Sequence, residues 1–292
     1  MLSQEWRDWD AVVVDDGDGG GIEAALALGD ARIAALPNEG EGQVDARSTA
    51  IARATGELVC WLDDDDWWDD PGHLSLLAAA AATRGSFYFR GGWIVHEPAG
   101  SREVFDHVAT CGSLRTNNTI LTSSLAYPRA VHEELGPLDR GLGSYADWDL
   151  ILRMCDAGYV PHKLPGLGVC YAVHGANVSA AVDAPARLAG FRGLVAKHGL
   201  DTTIHSHVTM HRMLTGWSEV DGKLERQFDF GDFRGAIAFV NRIAELAESE
   251  NHHPDIEVHY NKVVLRWWTH TAGGITDRDR ELAERSASLA TA

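Results

Sequence analysis

The stretch from Leu58 to Trp68 constrains this chain more than any other. Leu58-Val59-Cys60-Trp61-Leu62 is a continuous apolar run, too short for a helix, which predicts a buried strand. Four carboxylates, Asp63, Asp64, Asp65 and Asp66, follow at its C-terminal end. In an open α/β sheet, ligands bind beyond the carboxyl ends of the strands. Adjacent acids repel one another unless a cation or a solvated loop relieves them. An oxygen-only cluster suits a hard divalent ion such as Mg²⁺ or Mn²⁺, shared with a phosphate-bearing ligand. A solvated acidic loop capping a helix that starts near Pro71 is the bland reading of the same run.

The surroundings extend the α/β pattern. Ala11-Val12-Val13-Val14 predicts a strand ending in Asp15-Asp16-Gly17. The glycines from Gly17 to Gly21 lack the spacing of a dinucleotide fingerprint. Arg32–Leu36 predicts a second strand, Val44–Thr55 a helix stopped by Gly56, and Pro71–Thr83 another helix. Strand and helix in alternation predict a parallel sheet. Ala181–Gly199 reads as a connecting helix, which puts a domain boundary near Leu200.

Beyond it the rhythm changes. Ile204–Leu214 is a helix, and the segments Gly216–Val220 and Leu224–Phe230 flank Asp221-Gly222, a strong hairpin turn. Asp232 caps a helix from Phe233 to Ser249. Ile256–Tyr260 and Lys262–Thr269 are strands, and Thr276 caps a last helix, Asp277–Leu289. Residues 200–292 are thus expected to be α+β, an antiparallel sheet with helices on one face, behind an α/β domain at 1–199.

Charge and composition exclude some classes. The net charge is −18 and both parts are acidic, which argues against sequence-independent nucleic-acid binding. No run of 18 apolar residues marks a membrane span, and Met1–Arg7 lacks the apolar core of a signal peptide. Cys60, Cys111, Cys155 and Cys170 are scattered, which predicts reduced thiols in a cytoplasmic protein.

The first part resembles the family 2 glycosyltransferases of GT-A fold. The resemblance is carried by Trp9–Gly17, Ala46-Arg47-Ser48, Ala54–Glu57, Leu62–Trp67, Leu135–Asp139, Asp147–Arg153 and Tyr171–Ser179, in that family's order. It implies that Asp15 accepts from a nucleobase and Arg47 lies against the base or its phosphates. It implies a D-x-D pair at Asp63 and Asp65, with Asp65 nearer the metal and His174 completing the site. Asp147 would be the general base that deprotonates an acceptor hydroxyl. Bland readings stand beside these roles: Arg47 as a surface residue, Asp147 as a helix cap, His174 as a satisfied loop histidine. The chain departs from the family in carrying Ala146 where a glutamate usually precedes the base. It also starts at what resembles the end of the family's first helix, so a central strand is expected to be missing. Glycosyl transfer is therefore expected to be weak or absent.

The second part resembles the pterin-4a-carbinolamine dehydratases. The carrying residues are Gly216-Trp217, Phe228–Phe233, Asn251–Ile256, Tyr260–Val263 and Thr269–Thr276. The resemblance implies catalysis by His252, His253 and His270, with Trp217, Pro254 and Asp279 at the pterin and no cofactor. It also implies homo-oligomerisation, and some relatives act as assembly partners of other proteins. Members often carry an aromatic near Ile256, which this chain lacks. A metal site built from His252, His253, His259 and His270 is a further reading of the same histidines. The expected partners are a pterin and possibly a nucleotide-sugar.

Overall fold

A computed structural model describes residues 1–17, 19–81, 85–98, 100–174, 177 and 183–290. The chain forms two compact units, Met1–Trp93 with Phe105–Ser206, and Ile94–Val104 with His207–Ala292. The segment 94–104 groups with the second unit, which no sequence signal announced.

In chain order residues 1–206 bring β1 (Ala11–Asp15), α1 (Gly20–Ala27), β2 (Ile33–Pro37), α2 (Gly42–Arg53), β3 (Leu58–Cys60) and α3 (His73–Ala80). Then follow β4 (Ser86–His96), β5 (Ser101–Phe105), β6 (Ala126–Pro128), α4 (Val131–Leu135), α5 (Ala146–Asp156), β7 (Val160–Val173) and α6 (Pro185–His198). β1 and β2 pair in parallel. From β3 onward the expected parallel sheet gives way, because β3–β6 and β6–β4 are antiparallel. Parallel pairing needs a long crossover, usually a helix. Between β4 and β6 the chain has no α-helix, only β5 and short 3₁₀ turns at Ser113–Arg115 and Thr122–Ser124. Among the described residues β1–β2 is a sheet of its own, and β3 pairs only with β6. The core collects under this sheet: Phe87, Phe89, Leu114, Ile120, Tyr127, Leu150 and Leu152 are all at most 1% exposed.

Cys111 and Cys155 form a disulfide with a Cα–Cα distance of 5.5 Å, which corrects the expectation of reduced thiols. The two lie 44 residues apart, so spacing carried no signal of their meeting.

The second unit contains α7 (His207–Thr215), β8 (Ser218–Val220), β9 (Lys223–Asp229), α8 (Phe233–Glu250), β10 (Asp255–His259), β11 (Lys262–Trp267) and α9 (Asp277–Ala290). Its sheet is antiparallel, in the order β10-β11-β9-β8. Asp221 (φ 49°) and Gly222 (φ 73°) make the hairpin turn with both residues left-handed, as a two-residue turn matched to strand twist requires. The Asp232 side chain accepts from the Gly235 amide at 2.8 Å and starts α8. Ala236, Phe239, Ile243 and Leu246 recur at helical spacing and pack on Phe228, Val263, Leu265 and Trp267. Burying a side chain such as Phe239 contributes about 1.5–3 kcal/mol. α8 ends at Asn251, whose left-handed backbone (φ 49°) turns the chain out of the helix just before His252.

Candidate functional site

The acid run beyond β3 curls into a turn, with the Asp66 amide donating to the Asp63 carbonyl at 3.2 Å. Its four carboxylates do not share one environment. Asp66 points inward and is buried. It accepts from Ser123 Oγ at 2.6 Å and from the Ala172 amide at 2.9 Å. Burial pushes its carboxyl up to about 7, against the pull of those two bonds. Asp63 pairs with Arg47 Nη2 at 2.5 Å. Asp65 Oδ2 lies 3.1 Å from His174 Nε2 and 3.2 Å from Asn177 Nδ2. The repulsion inside the run is relieved by one carboxyl turned into the core and two with separate partners. A wholly solvated loop is not what the chain builds.

Arg47, on α2, also lies over the Trp61 ring, 4.8 Å from its centroid. Burial alone would lower its pKa, but the charges of Asp63 and Asp147 outweigh that and raise it. Asp147 therefore faces the same guanidinium as the acid run. It sits in the first turn of α5, whose N-cap is Tyr145. Thr122 Oγ1 donates to Asp147 Oδ2 at 2.9 Å, and the Trp148 amide to Oδ1 at 2.7 Å. Ser123, next to Thr122, is the brace under the acids: the Asp63 amide donates to its Oγ at 3.0 Å, and Trp68 Nε1 to its carbonyl at 2.8 Å. One 3₁₀ turn thus touches both the acid run and Asp147. Sequence reading missed Thr122, Ser123 and Asn177, and only Asn177 lies in a motif that could have flagged it.

Asp15 is bound within its own loop. Its carboxylate accepts from the amides of Gly17 (2.7 Å), Gly21 (2.6 Å) and Ile22 (3.3 Å). Those backbone bonds, Gly17 first, hold its pKa low. The Gly-rich stretch is therefore a loop wrapped on Asp15 that leads into α1. In the closing motif Tyr171–Ser179, Gly175, Ala176, Val178 and Ser179 lie outside the described residues.

In the second unit His252 Nε2 meets Asp279 Oδ1 at 2.6 Å. Asp279 is fully buried. Its other oxygen accepts from the Thr276 amide (2.7 Å), Thr276 Oγ1 (2.7 Å) and Thr269 Oγ1 (2.8 Å). The Thr276–Asp279 bond is the reciprocal half of a capping box at the start of α9. Burial would raise the Asp279 pKa, yet His252, Thr276 and Thr269 together lower it. Asp279, expected at the substrate, holds His252 through the first of these bonds. The His252 ring stacks on Trp267, with centroids 5.6 Å apart. His270 rests on Trp268 at 3.8 Å, and Trp268 Nε1 donates to Asp255 at 3.1 Å. His253 is exposed beside Glu248 at 3.2 Å. Pro254, half-buried, carries the chain from His253 into β10. Trp217, expected at the pterin, is a core residue packed edge-on against Phe228. His259 pairs with Glu257 at 3.3 Å. The alternative four-histidine metal site is not assembled, and no group of three metal-ligating side chains occurs among the described residues.

The fold and these residues define a chain of two kinds: a GT-A fold built around an acidic turn, then an α+β unit built around a His–Asp pair. Comparison with known proteins agrees with both parts. Residues 1–107 match the family Glycosyl transferase family 2, and residues 201–289 match Pterin 4 alpha carbinolamine dehydratase. A relative from Thermomicrobium roseum, provisionally named a pterin-4-alpha-carbinolamine dehydratase, is 50% identical over 91 residues, which are 31% of this chain and 95% of that protein. The chain therefore belongs to the pterin-4a-carbinolamine dehydratase family, through its C-terminal unit. A transcriptional coactivator/pterin dehydratase structure from Brucella melitensis is 34% identical, with 29% of this chain and 93% of that one covered and a TM-score of 0.27. S. aureus TarS 1-349 in complex with UDP-GlcNAc aligns with a TM-score of 0.51 at 14% identity, covering 73% of this chain and 65% of that one. At that identity the likeness speaks for the fold.

Proposed function

We propose that the C-terminal unit is a 4a-hydroxytetrahydropterin dehydratase, which removes water to give a quinonoid dihydropterin. The observation that carries this reading is the His252–Asp279 pair. The reaction breaks the C4a–O bond while the N5–H electrons form the C4a=N5 double bond. It asks for one proton taken from N5 and one given to the departing hydroxyl. Asp279 accepts from Nε2–H of His252, which leaves the Nδ1 lone pair of the neutral ring to take the N5 proton. His253 and His270, which open to solvent, are the candidates for the donor. Both transfers lie within reach of imidazoles near neutral pH. The test is quinonoid dihydropterin formation followed by stopped flow. His252→Ala is expected to slow it about a hundredfold, and an unchanged rate would overturn the assignment.

A second reading applies to the first unit, where the Asp65–His174 geometry favours it. Two donor atoms 3.1 Å apart match adjacent positions of an octahedral ion with bonds of about 2.1 Å. Asp65 and His174 would hold Mg²⁺ or Mn²⁺, with Asp63 beside them. When bound, the ion would neutralise the diphosphate of a nucleotide-sugar. Asp147, oriented by Thr122, would take the acceptor's proton, and Arg47 would sit between that base and the acids. Weak or absent transfer is the expected outcome, since β1–β2 is separate from the sheet that contains β3. Homo-oligomerisation is proposed at β10, an edge strand ending near the exposed Val258 and Tyr260. No helix among the described residues is long and apolar enough to cross a membrane. The proposed compartment is the cytoplasm, where a disulfide forms only under oxidising conditions.

A further inference from the structure

We propose that Cys111 and Cys155 are a reversible thiol–disulfide site that clamps the helix carrying Asp147, with a small-molecule thiol–disulfide couple as its partner. The inference stands independently of either activity proposed above.

Cys155 lies in the last turn of α5 and Asp147 in its first. Cys111 opens the segment 110–124, which has no α-helix or strand of its own. This segment meets α5 at the disulfide, at the Leu114 carbonyl that accepts from Trp148 Nε1 at 2.7 Å, and at Thr122 bonded to Asp147. Arg115 extends the seam, pairing with Asp156 at 3.1 Å and donating to the His198 carbonyl at the end of α6. An α-helix transmits displacement as a rigid rod, at about 1.5 Å per residue. A covalent tie at one end of α5 therefore limits how far the other end can move from Thr122. The hydrogen bonds at Trp148 and Asp147 are individually weak once exchanged against water. Removing the tie leaves Leu114, Ile120 and Leu121 anchored in the core. The expected effect is loosening of the seam, with the unit still folded.

What separates this pair from the other cysteines is that its two sulfurs meet. Cys60, Cys111 and Cys155 are all half-buried, whereas Cys170 is buried. The Cys60 thiol is pushed up to about 12 by burial, which keeps it protonated and inert. The chemistry balances with a small disulfide as oxidant. The thiolate of one cysteine attacks the small disulfide, expels one small thiol and leaves a mixed disulfide. The second cysteine's thiolate attacks the protein sulfur of that mixed disulfide and expels the second small thiol. Two protein thiols are oxidised, one small disulfide is reduced to two thiols, and reduction runs the same steps backward.

The full chain can be equilibrated in glutathione–glutathione disulfide mixtures, quenched, alkylated and weighed, with hydrogen exchange measured on the same samples. Two of the four cysteines should lose alkylation together as the mixture becomes oxidising. Exchange in residues 110–124 and 146–156 should be about tenfold or more faster in the reduced protein, with residues 233–250 unaffected. Cys155→Ser should behave as the reduced protein at every ratio. Should that variant not fold, the wild type reduced and oxidised in turn gives the same comparison. Four alkylated cysteines at every ratio, or equal exchange of α5 in the two states, would overturn the proposal.

Discussion

The two candidate sites are assembled on different length scales. In the first unit Asp65 and His174 meet across 109 residues, Asn177 and Asp65 across 112, and Asp66 and Ser123 across 57. In the second unit His252 and Asp279 are 27 residues apart, and the whole group falls between Glu248 and Asp279. The long-range site depends on the mutual placement of β3, α2, α5 and β7. The short-range site depends on a helix end, a strand and a capping box. A compact motif survives as readable sequence, which is why half of the aligned residues are identical in a relative of the second unit. The first unit keeps its fold at 14% identity to a structure of the same kind.

The most direct way to break this comparison is to cut each site at its inner support. Asp279→Asn keeps the shape of the side chain but no longer fixes His252 in one tautomer. We expect dehydration to fall by about ten- to a hundredfold, with a changed pH–rate profile. A fall in rate with an unaltered profile would mean that Asp279 acts on folding alone. In the first unit, Asp65→Ala should weaken Mn²⁺ binding in calorimetry by about tenfold or more, with the dehydration rate unchanged. Loss of both properties together would show the two sites to be coupled.

A smaller effect sharpens the same contrast. His73 is buried against Trp68 and Arg90, and burial, then the Arg90 charge, lowers its pKa to about 3. Between pH 6.5 and 3 the unfolded chain binds a proton there that the folded chain does not. Stability therefore falls as pH drops through that window, by up to a few kcal/mol at about 1.4 per unit. Asp279 in the second unit has a depressed carboxyl, so its contribution is lost only as pH falls below about 4. Asp66, raised to about 7 in the same unit, acts with the opposite sign, because the folded chain binds its proton first. The His73 contribution is therefore read by difference: His73→Gln should lose less stability than the wild type between pH 6.5 and about 4, followed by hydrogen exchange. Equal losses in the two proteins would contradict it.

The local features of this chain were written in its sequence. The strand ending in four aspartates, the Asp221-Gly222 turn, the Asp232 cap and the α8 stripe all rest on interactions within a few residues, so composition and spacing reveal them. His252, Asp147 and Asp65 could be named for the same reason, as members of short motifs. Tertiary structure decided what those side chains face. Only the fold turned Asp66 inward onto Ser123, bound Asp15 to its own loop and buried Trp217 in the core. Only the fold placed Asp279 beneath His252 and brought Cys111 to Cys155. It also divided the sheet and joined the segment 94–104 to the second unit. Each of these depends on which distant segments pack together, and burial and hydrogen-bond satisfaction are settled over the whole core.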